Sequence, residues 1–175
     1  MAEPTAPETK EPDAAGETFA AVTDPRPVAI VVYCSDPRFQ NAFDQFIEKT
    51  LGLRKGEFVP LVVAGGAGTL ASPLQLPKEF KFMKDRLELL REHFPSIRRV
   101  ILINHEDCAY YKTIRDKVAG FLGRFVSSSS AHEDMPAVAA VFKSLLAHLG
   151  VSLELYYASF TDSTRSNVKF ERISF

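Results

Sequence analysis

The sequence predicts a single-domain α/β protein with a mostly parallel sheet of four to five strands and helices on both faces, and three observations predict it. Runs of apolar, β-branched residues alternate with segments of 3.6-residue periodicity, the order β-α-β-α-β. The first and third of those runs are continuously apolar, as strands covered on both faces are. A chain of 175 residues, 46 % hydrophobic and 25 % charged, is the size of one domain and can bury a core without covalent staples.

The elements follow in order. Residues 1 to 25 hold six acids and one base, Lys10, with four prolines among Ala, Thr and Glu. So acidic and Pro-rich a stretch has little to bury and is expected to be a disordered tail, the folded domain running over 26–175. The first strand is Val28 to Tyr33. Phe39, Phe43, Phe46, Ile47 and Leu51 then recur at helical spacing, with Ser35 or Asp36 as the expected N-cap and Gly52 as the stop. Phe58 to Val63 reads as a second strand, placed at an edge by Pro60, and the turn Ala64 to Gly68 follows it. Pro77 to about Phe94 is helical, Arg99 to Ile103 is the third strand, and Ser127 to Ser130 reads as a loop. A helix from Met135 to Leu149, a strand from Ser152 to Ala158 and a weaker strand from Val168 to Ser174 complete the chain.

Composition excludes several functions. With 21 Lys+Arg against 22 Asp+Glu, the chain lacks the basic footprint of a nucleic-acid binder. It has no apolar run of the roughly 18 residues a membrane span needs. Its first residues lack the basic start and apolar stretch of a secretory signal, so a cytoplasmic location is expected. Two cysteines, Cys34 and Cys108, are too few for a disulfide scaffold.

Those two cysteines carry the chemistry. Cys34 follows the first strand in Cys34-Ser35-Asp36-Pro37-Arg38, and Cys108 follows the third in Asn104-His105-Glu106-Asp107-Cys108. Ligands of open parallel sheets bind outside the carboxyl ends of strands, where strand order reverses. If strands one and three are neighbours, Cys34, His105 and Cys108 converge there. Two thiolates and an imidazole suit Zn2+, one ion per chain, and a three-residue set leaves a fourth position for water or substrate. Taken singly, each cysteine reads as a small buried hydrophobe, and the pair as a disulfide, which a cytoplasmic protein disfavours. The whole cysteine complement at two strand ends, with a histidine three residues from one of them, favours metal over both.

Cys34-x-Asp36-x-Arg38, the glycine-rich turn after the second strand and His105-x-x-Cys108 behind Val100-Ile101-Leu102-Ile103 together resemble the β-class carbonic anhydrases. The resemblance covers roughly Val28 to Ala158. It implies a zinc lyase interconverting carbon dioxide and bicarbonate through zinc-bound hydroxide, with Cys34, His105 and Cys108 as ligands and Asp36 paired to Arg38 as a catalytic dyad. It also implies a homodimer or higher homo-oligomer. In the family the aspartate can also turn onto the zinc and shut the site. Departures fall on the substrate side. The family's polar Arg-Asn-Ala-Gly-Asn type loop is replaced by Gly65, Gly66, Ala67 and Gly68, which are expected to meet a substrate anion through backbone N–H groups. Ala109-Tyr110-Tyr111 stands where a glycine usually follows the second cysteine, and no N-terminal dimer helices are recognisable. Two alternatives therefore accompany the first reading: a zinc hydrolase acting on carbonyl sulfide or carbon disulfide, and a zinc-binding module without catalysis. His93, His132 and His148 are open as proton relays, and Glu106 and Asp107 as supports of the metal site or as solvated residues.

Overall fold

Six consecutive buried residues, Ala29–Cys34, form β1, and their burial on both sides requires layers above and below the sheet. The computed structural model describes residues 18–71, 77–113, 132, 134–145 and 147–175. Residues 1–17 of the expected tail and the serine run 127–130 lie outside the described residues. The part of the tail that is described, 18–25, is exposed, although Val22 lies against the turn at Gly56.

Five strands form one sheet: β1, β2 (Phe58–Val63), β3 (Arg99–His105), β4 (Ser152–Phe160) and β5 (Val168–Arg172), in the order β2-β1-β3-β4-β5. The first four run parallel, and β5 returns antiparallel to β4. β2 occupies an edge, as Pro60 requires. From β1 the chain passes first to one side and later to the other, so strand order reverses between β1 and β3. Their register, Val32 opposite Leu102, sets the two carboxyl ends side by side at that switch point.

Helices cover both faces. On one, α2 (Pro77–His93) and α3 (Met135–Leu145) press Met83, Leu87, Val138 and Phe142 onto Ile30, Val32, Val100 and Leu102. On the other, α1 (Gln40–Gln45) continues as a π-helical turn, Phe46–Thr50, and sets Phe43, Phe46 and Ile47 on Val31 and Ile101. Gly52, at φ 67°, ends that segment as expected. No helix among the described residues is long and apolar enough to cross a membrane.

The expected N-cap is corrected. Phe39 takes that position without any side-chain cap, and α1 starts at Gln40. Asp36 is otherwise engaged, accepting the Arg38 backbone N–H at 3.0 Å and the Arg38 side chain. The strands also extend further than their apolar runs. β1 reaches Cys34 and β3 reaches His105, so both ligand candidates lie on strands and inherit their rigidity. The helix expected over Met135 to Leu149 stops at Leu145, and Ala147–Leu149 is a 3-10 turn.

One polar pair is built into the sheet. Arg99 Nε donates to Glu154 Oε1 at 2.6 Å and Tyr156 Oη to Oε2 at 3.0 Å. Burial alone would raise the Glu154 carboxyl, but these donors hold it below its ordinary value. A depressed carboxylate stabilises the fold above its unfolded-state pKa of about 4.3, and that contribution disappears as pH falls through the folded value. We expect the urea midpoint of the parent chain to drop on acidification from about pH 5 to pH 3, and Glu154→Gln to flatten that drop.

Candidate metal centre

β1 ends on Cys34 and β3 on His105, and the turn after β3 returns Cys108 to the same place. All three are buried, with exposures of 3 %, 1 % and 6 %. The sulfur atoms are 3.8 Å apart, and the three ligand atoms lie within 4.8 Å of one another. Tetrahedral Zn–S bonds of about 2.3 Å place two sulfurs about 3.8 Å apart, so the spacing is that of two thiolates sharing one metal.

The imidazole is oriented for the same task. Its Nδ1 lies 2.8 Å from the Glu106 carbonyl oxygen, a contact that needs the proton on Nδ1 and leaves the lone pair on Nε2. Among the described residues that buried Nε2 has no hydrogen-bond partner, a costly state for a ring nitrogen unless a metal accepts the lone pair. Phe39 packs on the ring at 4.3 Å between centroids and fixes its plane. The donor set and geometry fit zinc.

The two thiols are in contact, and each shifts the other in opposite directions. The Cys34 thiol is driven down by its contact with Cys108, with further help from the Gly65 N–H, which donates to Sγ at 3.3 Å. Cys108 is pushed up by the same contact and by burial. Both directions favour Cys34 as the thiolate-prone member of the pair.

On the rim, Arg38 grips Asp36 through Nη2 to Oδ2 at 2.7 Å and Nε to Oδ1 at 3.0 Å. Asp36 is 12 % exposed, and the guanidinium holds its carboxyl below the ordinary range. With the carboxylate clasped this way, Asp36 faces the site as an ionised acceptor. Arg38 also reaches the next turn, donating to the Asp107 carbonyl at 3.0 Å and to its carboxylate at 3.3 Å. Lys112 and Arg165 share that carboxylate. A cleft of about 540 Å3 opens over the centre, lined by Cys34, Asp36, Arg38, Ala64, Cys108 and Tyr110 among others.

The turn Gly65, Gly66, Ala67 and Gly68 is buried throughout and lies against the metal ligands. Besides the Gly65 contact with sulfur, Gly66 sits at φ 55°, where an added Cβ would come 3.0 Å from the Ile103 carbonyl oxygen and 3.3 Å from the Cys34 nitrogen. Left-handed backbone costs a non-glycine residue about 1–2 kcal/mol. We therefore expect Gly66→Ala to destabilise the fold by about 2 kcal/mol in urea melts and to weaken zinc retention under chelator competition, because relief of the clash displaces Cys34. Tyr111 packs on Gly68, where a Cβ would lie 2.5 Å from its ring, and Tyr110 forms part of the cleft wall.

Other sequence candidates fall elsewhere. His148 pairs with Glu88 at 2.9 Å, while His93 meets Phe94 and His132 meets Tyr157. None of the three lines the cleft. Glu106 is structural, its carboxylate accepting the Phe160 N–H at 3.0 Å. Arg165 is the residue that sequence reasoning missed. It lies in the β4–β5 turn, 58 residues beyond Asp107, and no local pattern marks it.

No family model matches the chain, and no curated protein matches it. Solved structures do. A carbonic anhydrase from Glaciozyma antarctica superposes with a TM-score of 0.54 at 18 % identity, covering 92 % of this chain and 90 % of that one. The β-carbonic anhydrase isoform I of Trichomonas vaginalis gives 0.51 at 14 % identity, covering 90 % and 87 %. The fold is β-carbonic-anhydrase-like. At such identities the comparison shows the fold alone; the metal centre of this β-carbonic-anhydrase-like chain stands on its own geometry.

Proposed function

We propose that the chain is a cytoplasmic, homo-oligomeric zinc lyase of the carbonic anhydrase type, which converts CO2 and water reversibly into bicarbonate and a proton. The observation that carries this reading is the buried Cys34–His105–Cys108 set, with an Nε2 that has no hydrogen-bond partner among the described residues and an ionised Asp36 on its rim. Cys34, His105 and Cys108 would hold the zinc, which would supply a nucleophile at physiological pH by lowering the pKa of a coordinated water toward neutrality.

The remaining roles belong to the chain. Cys34 and Cys108 would neutralise the metal's charge, and the Gly65 N–H offsets part of the charge on Cys34 sulfur. His105 is kept in the ligating tautomer by the Glu106 carbonyl. A free carboxylate oxygen lone pair of Asp36 accepts a hydrogen bond from the attacking water and turns it toward the substrate carbon. Arg38 keeps that carboxylate ionised and prevents it from swinging inward. Ala64, Ala109 and Tyr110 supply an apolar wall suited to a linear, uncharged substrate, while the turn Gly65 to Gly68, expected from the sequence to meet a substrate anion, lies buried behind that wall and supports the Cys34 sulfur through the Gly65 N–H.

Oxygen-18 exchange between labelled CO2 and water, measured on zinc-loaded protein at about pH 7 to 9, tests the reading. Exchange well above the buffer rate is expected, and zinc-replete protein with no exchange contradicts it. The apolar wall also favours a second electrophile class, carbonyl sulfide and carbon disulfide, and sulfide release on adding either gas is the discriminating result. A zinc protein inert toward all three would be a binding module.

A further inference from the structure

We propose that Asp107 and Arg165 are positioning residues that hold the Asp36–Arg38 dyad in place over the metal centre, so that the β4–β5 hairpin serves catalysis without touching substrate. The inference rests on the role given to the dyad above. Asp36 and Arg38 lie two residues apart on one loop, and a pair so close in sequence can move together as a unit. What fixes its position must come from elsewhere. Arg38 provides that link through its two bonds to Asp107, which adjoins the ligand Cys108.

Asp107 is itself fixed. It takes a left-handed backbone, φ 54°, and its carboxylate binds three cations, Arg38, Lys112 and Arg165. Arg165 Nη1 donates to the same oxygen as Arg38, Oδ2, at 2.9 Å. The turn that delivers Arg165 is built for that purpose. Asp162 accepts bonds from Thr164 Oγ1, the Ser166 N–H and Asn167 Nδ2, and Arg165 between them adopts φ 57°. Phe160, the last residue of β4, presents its ring to both guanidinium groups, 5.9 Å from Arg38 and 5.5 Å from Arg165. Two cations that would repel are thus held together by one carboxylate and one aromatic ring. Exposed ion pairs contribute little singly, but here Arg38, Asp107 and Arg165 come from the turns that follow three different strands, β1, β3 and β4. The relay runs from the hairpin through Asp107 to Arg38, and from there to Asp36.

Arg165→Asn tests this, because asparagine accepts left-handed backbone while removing the guanidinium; Arg165→Lys restores a cation. Zinc-loaded, full-length variants are compared for kcat, KM, zinc content and the solvent exchange of the Arg38 Nε–H resonance. For Arg165→Asn we expect one zinc per chain, a kcat lowered about tenfold with KM changed by less than about twofold, and faster exchange at Arg38 Nε–H. Arg165→Lys recovers most of both signals. In an Asp107→Asn background, Arg165→Asn adds no further loss. Unchanged kcat and Arg38 exchange in Arg165→Asn overturn the proposal, as does an equal additional loss in the Asp107→Asn background. If the zinc-loaded parent hydrates no CO2, the functional reading fails, and the Arg38 Nε–H signal still decides whether the relay exists.

Discussion

Cys108→Ser yields a protein with near-zero zinc and no CO2 hydration, while the parent holds about one zinc per chain. Serine keeps the shape of the side chain but presents a neutral hydroxyl, a poor zinc ligand beside a thiolate. The loss also appears in stability. A metal that binds only the folded state adds ~4 kcal/mol at a free concentration a thousandfold above its dissociation constant. For a chain of this size each kcal/mol moves the melting temperature by about 2–4 °C. Chelation should therefore lower the parent's melting temperature by about 10 °C and leave Cys108→Ser nearly unmoved. A chelator-insensitive parent would show that the three side chains pack together without serving a metal.

The second large effect is expected from Asp36→Asn. The amide retains the size of the carboxylate and one oxygen for the Arg38 backbone N–H, so the loop keeps its shape and the zinc stays bound. The charge and one acceptor are lost, and Arg38 keeps only Asp107 as a carboxylate partner. Removing a pre-organised group aimed at the reacting atoms typically costs 100- to 1,000-fold, or ~2.7–4 kcal/mol of transition-state stabilisation. We expect kcat/KM to fall in that range with zinc content unchanged. Loss of zinc in step with activity would instead place Asp36 among the metal's structural supports.

Much of this was legible in the sequence, for physical reasons. Buried strands announce themselves as apolar, β-branched runs, and Pro60 marks β2 as an edge because it removes a ladder donor. Cys34, His105 and Cys108 were recognisable because a metal demands particular atoms, and those atoms stand at the ends of recognisable strands. Less visible was where strands stop. Cys34, Asn104 and His105 are not β-branched hydrophobes, yet ladder pairing extends β1 and β3 through them. The N-cap expectation failed because Asp36 had two possible partners, and a guanidinium two residues away holds a carboxylate more strongly than a helix terminus does. Asp107 and Arg165 were invisible as a pair. Their contact depends on how a hairpin folds back over another turn, and charges so far apart in sequence leave no periodic trace.

The zinc K-edge X-ray absorption spectrum of the protein as purified tests the central claim most directly. The account predicts one zinc with two sulfur ligands at about 2.3 Å and nitrogen or oxygen ligands at about 2.0–2.1 Å completing a four-coordinate shell. A shell with no sulfur, or one with four, would contradict it.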